Sequence, residues 1–156
     1  MAPIKKKNKN KLLTAPRSLK FKKWHKFYVR KLNYSKVGCQ LQYGSYGLRI
    51  LKSTRLFWKQ IESARQKISR RLKKKSKIWI RVFPNLPVTQ KPKEVRMGKG
   101  KGAVDHYVVR AEAGRVIFEL ANVDPILART LLEKASKKLP VPCVVIQRNH
   151  FEINRI

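Results

Sequence analysis

Residues 105–140 read DHYVVRAEAGRVIFELANVDPILARTLLEKASKKLP, and this stretch decides the fold class. Its first part, 105–120, is rich in β-branched and aromatic residues and breaks once, at Ala113-Gly114, so it predicts two strands around a turn. The remainder predicts a helix. Asp124 stands where a side chain can cap the first free amides, and Pro125 fits the first helical position, where its missing N–H is not needed. Leu127, Leu131, Ala135 and Leu139, with Ala128 and Leu132 beside them, recur at helical spacing and form one apolar stripe. Lys134, Lys137 and Lys138 lie near the negative end of the helix dipole, and Pro140 stops the helix.

Working outward from this core, RMGKGKG (96–102) is a glycine loop, and NLPVTQKPKE (85–94), with Pro87 and Pro92, reads as an extended loop. KIWIRVFP (77–84) predicts a strand ended by Pro84, with Ile78, Ile80 and Val82 alternating with Trp79, Arg81 and Phe83. Residues 56–75 predict a second helix. Phe57, Ile61, Ala64, Ile68 and Leu72 share one face, while Lys59, Arg65, Gln66, Lys67, Arg70, Arg71, Lys73 and Lys74 fill the other. QLQYGSYGLRILKS (40–53) alternates around Gly44 and Gly47 and suggests short strands, and VPCVVIQR (141–148) is a last strand. No internal repeat is present. The order predicts an α+β fold, two helices packed on a mostly antiparallel β-sheet, with a basic N-terminal extension and a long glycine-rich loop. Three segments follow: a basic arm (1–36), an α+β body (37–148) and a C-terminal extension (149–156).

Charge narrows the function. Among 156 residues, 39 are Lys or Arg and 8 are Asp or Glu, a formal net charge of +31. Such a charge opposes compaction by self-repulsion and makes sense beside a dense polyanion, of which nucleic acid is the first candidate. An anionic membrane is the second, but the N-terminus carries no long amphipathic basic helix, and no apolar run reaches the ~18–20 residues of a membrane helix. The first acidic residue is Glu62, while the part from Asp105 onward is nearly balanced. Residues 1–16 fit a solvated tail as well as a phosphate-facing arm. In 17–31, Leu19, Phe21, Trp24, Phe27 and Tyr28 interleave with cations, a pattern that suits bases stacked on aromatics while cations hold phosphates. The N-terminus lacks a signal-peptide core and is Lys/Asn-rich rather than Arg/Ser-rich, so it is not read as a cleaved presequence. Cys39 and Cys143 have no partner at metal-ligand spacing and read as small buried hydrophobes in a reducing compartment.

An enzyme would need a site. The carboxylates are scattered, and His25, His106 and His150 lie far apart with no partnering motif. The glycine loop is not a phosphate-binding Gly-x-x-x-x-Gly-Lys-Ser/Thr element, because its spacing is wrong. It is not a dinucleotide fingerprint either, because strand rather than helix follows. No catalytic residue, cofactor or metal is expected. Glycines let a backbone approach a surface closely, and the cations attract phosphate. Such a loop suits insertion into a tight anionic cleft.

KIWIRVFPNLPVTQKP (77–92) followed by EVRMGKGKGAV (94–104) resembles the signature of the ribosomal large-subunit family called "L sixteen" in bacteria and organelles. LKFKKWHKF (19–27) is similar to its basic N-terminal segment and YGSYGLRI (43–50) to one of its strands. QIESARQKISR (60–70) resembles its first helix and residues 124–138 its second, so the resemblance covers roughly 17–146. It departs from the family in having extra residues at both ends, less glycine in 28–42, and a different helix opening at STRLFW (53–58). The resemblance implies a structural component that binds large-subunit rRNA near the central protuberance and the aminoacyl-tRNA (A) site. It also implies roles in late subunit assembly and in positioning incoming tRNA. Carried onto this chain, the loop residues are Arg96, Met97, Gly98, Lys99, Gly100, Lys101 and Gly102. The expected rRNA contacts are Lys20, Lys22, Lys23, His25, Lys26, Arg30, Lys31, Arg65, Arg70, Arg71 and Arg81. Expected partners are large-subunit rRNA, A-site tRNA and neighbouring large-subunit proteins, with no membrane and no homo-oligomer. Lysine far exceeds arginine, Asn and Ile are frequent, and the ends are lengthened. A mitochondrial ribosome is therefore the preferred setting, with bacterial cytoplasm and plastid ribosomes as alternatives. An RNA-modifying enzyme and a DNA-compacting protein are the competing readings; turnover by the purified protein, or a preference for duplex DNA, would favour them.

Overall fold

Both expected helices form, and the strands around them divide into two sheets. The computed structural model describes residues 15–16, 19–25, 34–72 and 75–148. Along the chain come β1 (Tyr46–Ile50), β2 (Thr54–Phe57), α1 (Trp58–Ser69), β3 (Lys77–Ile80), β4 (Leu86–Gln90), β5 (Ala103–Ala111), β6 (Val116–Ala121), α2 (Pro125–Ser136) and β7 (Cys143–Gln147). One sheet has the order β3-β6-β1-β7 and the other β2-β5-β4, and every strand pair is antiparallel.

The turn at Ala113-Gly114 forms as expected, with Gly114 at φ 88°. However, β5 and β6 do not pair with each other. The chain crosses there from one sheet to the other. The Gly114 N–H donates to the Ile50 carbonyl (2.7 Å), and the Ala113 N–H donates to Ser53 Oγ (3.0 Å). A turn anchored to a third strand has its donors satisfied without a hairpin.

The two helices contact each other; α2 also lies on β1 and β7, and α1 on β2 and β5. Ile61, Ala64 and Ile68 of α1 meet Ala128, Leu131, Leu132 and Ala135 of α2 around Leu48, Ile50, Leu56, Phe118 and Leu120, all buried. β6 is buried along Val116–Leu120, Glu119 included. A strand this buried is covered on both faces.

Several boundaries differ from expectation, each for a local reason. The first helix begins at Trp58 rather than 56, because Leu56 and Phe57 pair with Val109 and Val108 in a sheet. It ends at Ser69, and the sequence that follows carries Arg70, Arg71, Lys73, Lys74 and Lys75. Like charges at helical spacing repel. Residues 86–90 form strand β4 rather than loop. Pro87 is tolerated because β4 lies at a sheet edge, where a missing N–H breaks no ladder. Asp124 sits at the cap of α2, yet its side chain makes no capping hydrogen bond. The Ala128 N–H donates to the Asp124 carbonyl instead (2.8 Å).

Candidate nucleic-acid interface

Strands β4 and β5 pair from Leu86↔Val108 to Gln90↔Ala103, which makes residues 91–102 the connection of a long hairpin. From Pro92 to Lys101 every residue is exposed, and Met97 is 96% exposed. At the tip, Gly98 (φ 95°), Lys99 (φ 51°) and Gly100 (φ 83°) take the left-handed backbone in succession. The glycines adopt it freely, but a side chain there costs roughly 1–2 kcal/mol. Lys99 therefore holds its place against local preference, and its charge is what the position offers. Gly102 has a different reason. A Cβ there would lie 2.7 Å from the Gln90 carbonyl oxygen. Lys91 Nζ donates to the Gly98 carbonyl and folds the loop back on itself. Arg96 and Lys99 have no acidic partner among the described residues.

The arm reaches this loop. Lys23 Nζ donates to the Lys101 carbonyl (2.8 Å), and Lys101 Nζ donates to the Trp24 carbonyl. Residues 78 positions apart in sequence are thus joined by a reciprocal clasp. The Trp24 indole N–H donates to the Phe21 carbonyl (3.1 Å), and Lys20 lies over the Phe21 ring at 5.6 Å. Lys20, Lys22, Lys23 and His25 are exposed. Lys26, Arg30 and Lys31, with Phe27 and Tyr28, lie outside the described residues.

The expected contact Arg81 is held mostly inside the protein. Its Nη1 pairs with Glu119 Oε1 and its Nη2 donates to Gln42 Oε1 (2.9 Å). Glu119 is fully buried, and its Oε2 accepts from the N–H groups of Gln42 (3.1 Å), Tyr43 (2.7 Å) and Gly44 (2.8 Å). Burial alone would raise the Glu119 carboxyl. The Tyr43 and Gly44 amides, the Arg81 guanidinium and the Gln42 amide outweigh it and hold the carboxyl below the usual carboxylate range. The Arg81 guanidinium also lies over the Tyr43 ring at 5.1 Å, and Tyr43 stacks on Trp79 at 6.0 Å. Sequence reasoning missed this latch. Its one visible signal is a lone carboxylate inside the apolar run Val-Ile-Phe-Glu-Leu, 116–120.

On α1, Arg65 forms a two-point pair with Glu62 (2.8 and 2.6 Å). The hydrogen bond from Arg65 lowers the Glu62 carboxyl and Glu62 raises the Arg65 guanidinium. Arg70 and Arg71, just past the helix, are exposed. Of the expected contacts, the structure brings together the arm and the glycine loop, and leaves the cations of α1 and its C-terminal turn as a separate group.

The comparisons with known proteins agree in kind. The family model described as "Ribosomal protein L16p/L10e" matches residues 16–146. "Large ribosomal subunit protein uL16" of Bartonella bacilliformis is 47% identical over 133 residues, 85% of this chain and 96% of the relative. The protein of the same name in Caulobacter vibrioides is 44% identical over 136 residues, covering 87% of this chain and 94% of its own. That of Paracoccus denitrificans is 42% identical over 136 residues, covering 87% and 98%.

Proposed function

Because the chain belongs to the ribosomal protein L16p/L10e family, we propose that it is a structural, non-enzymatic constituent of the large ribosomal subunit whose arm and glycine finger hold large-subunit rRNA. The observation that carries this reading is the clasp. It joins Lys101 of the finger to Lys23 and Trp24 of the arm, so that the exposed cations Lys20, Lys22, Lys23 and His25 belong to a segment tied to the finger that carries Arg96 and Lys99. Cations gathered this way, with no acid among residues 95–102, raise the cost of folding and are offset only by an external polyanion.

On this reading Arg65, Arg70, Arg71 and Arg81 are further rRNA contacts, together with Lys26, Arg30 and Lys31 of the arm. Arg65 and Arg81 offer only the donors that Glu62 and Glu119 leave free. The finger reaches toward the A site near the central protuberance and contacts A-site tRNA, while the body supports late subunit assembly among neighbouring proteins. Its slender, exposed, glycine-bearing tip suits passage between RNA surfaces. We assign residues 1–36, 37–148 and 149–156 to arm, body and C-terminal extension. The favoured setting is a mitochondrial ribosome, supported by the excess of lysine over arginine, the Lys/Asn-rich N-terminus and the residues flanking the family match; bacterial and plastid ribosomes are the alternatives.

The test is ultraviolet crosslinking of the chain in intact large subunits, mapped to RNA nucleotides, beside gradient sedimentation and organelle fractionation of a tagged chain. We expect cosedimentation with large subunits and crosslinks at residues 19–25 and 96–102. Recovery only from ribosome-free fractions rules the reading out.

A further inference from the structure

Between Trp24 of the arm and the body lies an open cleft of about 580 Å³. This falls within the range of about 300–1,000 Å³ that small-ligand pockets occupy. Trp24 and Phe83, each 40% exposed, supply its aromatic surface, with Val109 adding apolar wall. Arg81, Arg110 and Arg115 supply its cations.

The chemistry left unspent in this cleft is specific. The Trp24 indole N–H already donates to Phe21, so what Trp24 offers a ligand is its ring face. Arg81 is committed to Glu119 and Gln42. Arg115 has no side-chain hydrogen bond or ion pair among the described residues. Arg110 forms a long ion pair with Glu112 (Nη2 to Oε1, 3.7 Å) but carries a buried Nε–H with no acceptor. A buried donor without an acceptor is uncommon in a folded protein and calls for a partner. Aromatic faces beside the guanidinium of Arg115 and the incompletely satisfied one of Arg110 match a planar base joined to a phosphate.

We propose that this cleft seats one unstacked nucleotide of the rRNA, its base against Trp24 and Phe83 and its phosphate on Arg110 and Arg115. The proposal rests on the rRNA-binding reading above and adds a specific subsite to it. It also couples the subsite to the finger. The Trp24 carbonyl is held by Lys101, so a base that fixes Trp24 also fixes the base of the glycine loop.

The full chain is titrated with RNA hairpins that are identical except for one bulged nucleotide, with each of the four bases tried in turn. Salt is raised until binding through phosphates alone is weak. At least one bulged hairpin should bind about ten-fold tighter than the fully paired one, toward the lower end of the range for one stacked base. Trp24→Ala should erase that preference, weakening the bulged hairpin about ten-fold more than the paired one, while Trp24→Phe should keep most of it. R110Q/R115Q should reduce the preference as well, with the melting temperature of each variant as the folding control. Equal affinity for bulged and paired hairpins overturns the subsite, as does a Trp24→Ala variant that weakens both alike. Failure of the broader reading looks different: the wild-type chain would bind no hairpin at any salt.

Discussion

The Glu119 latch and the glycine finger handle charge in opposite ways. In the body, Arg81 faces a buried carboxylate that also accepts from three backbone amides, and Arg65 is paired with Glu62. Those cations are satisfied within the chain. In the finger, Arg96 and Lys99 face solvent, and Lys99 keeps a backbone conformation that its side chain disfavours. The latch stores its stability in groups that are paired within the chain. The finger spends backbone preference and accepts charge repulsion to present groups that need an external anion. The contrast makes a sharp claim: substitutions in one region should move stability and leave RNA binding by the finger intact, and substitutions in the other should do the reverse.

The largest test of the body is Leu131→Asp. Leu131 is 1% exposed in the α2 core. A carboxylate there has no partner, and the loss of about 5 kcal/mol or more matches the whole stability of a typical domain. Circular dichroism should show no cooperative unfolding at 25 °C. Retention of a normal melt would mean that the helix–sheet core does not carry the fold.

Next comes Glu119→Ala, which strands the Arg81 guanidinium, the buried Gly44 amide and the part-buried amides of Gln42 and Tyr43. Breaking a buried pair from one side costs about 3–5 kcal/mol, and chemical denaturation measures it. The same carboxylate sets an acid limit. Its native pKa is lowered, so its contribution is complete above the ordinary value of about 4.3 and drains away as pH falls through the lowered native value. The wild-type chain should therefore lose stability below about pH 4. Glu119→Gln should flatten that limb, leaving the slope from Glu62, whose carboxyl is also lowered. An unchanged acid limb in the glutamine variant would remove Glu119 from the account.

These effects also show what could be read from the residues alone. The helix α2, with its stripe, its Pro125 start and its lysines, was legible because one periodicity and several end signals agreed. The glycine finger was legible because three alternate glycines among cations have few other uses. The division into two sheets was not. Residues 56–57 match the apolar spacing of α1, yet they pair with β5, and only long-range contacts choose between those outcomes. β4 was masked by Pro87, whose tolerance depends on β4 being an edge strand. The latch was hidden because Arg81, Glu119 and residues 42–44 are distant in sequence. The same holds for the clasp between Lys23, Trp24 and Lys101. Local pattern shows which residues are odd, and topology decides which of them meet.

Gly102→Ala sits at the border between the two regions. The added Cβ meets the Gln90 carbonyl 2.7 Å away, in the last pair of the β4–β5 ladder. Overpacking of that kind costs about 1–3 kcal/mol. Because Gln90 is backbone-paired, the hairpin rather than the core should yield. Hydrogen exchange should quicken across 86–106 and stay slow in β6. Acceleration in β6 as well would show that finger and body unfold as one unit and blunt the contrast.

The smallest effect on stability, and the most telling, belongs to Lys99→Glu with Lys101→Glu. Neither side chain packs in the core. Lys99 also occupies a backbone region that lysine and glutamate dislike equally. The melting temperature should move by no more than about 2 °C, as for surface substitutions generally. Breaking the Lys101–Trp24 contact should free the arm without unfolding anything beneath it. RNA affinity should nevertheless fall. Removing two phosphate contacts should also reduce the slope of log affinity against log salt by roughly 1.4–1.8, the worth of two contacts at about 0.7–0.9 each. The slope is the decisive readout, because a general loss of folded protein lowers the apparent affinity without changing the number of phosphates each bound molecule neutralises. A variant that loses affinity at constant slope would place the finger's role in shape alone. One that keeps both affinity and slope would mean that the tip's cations face no RNA at all.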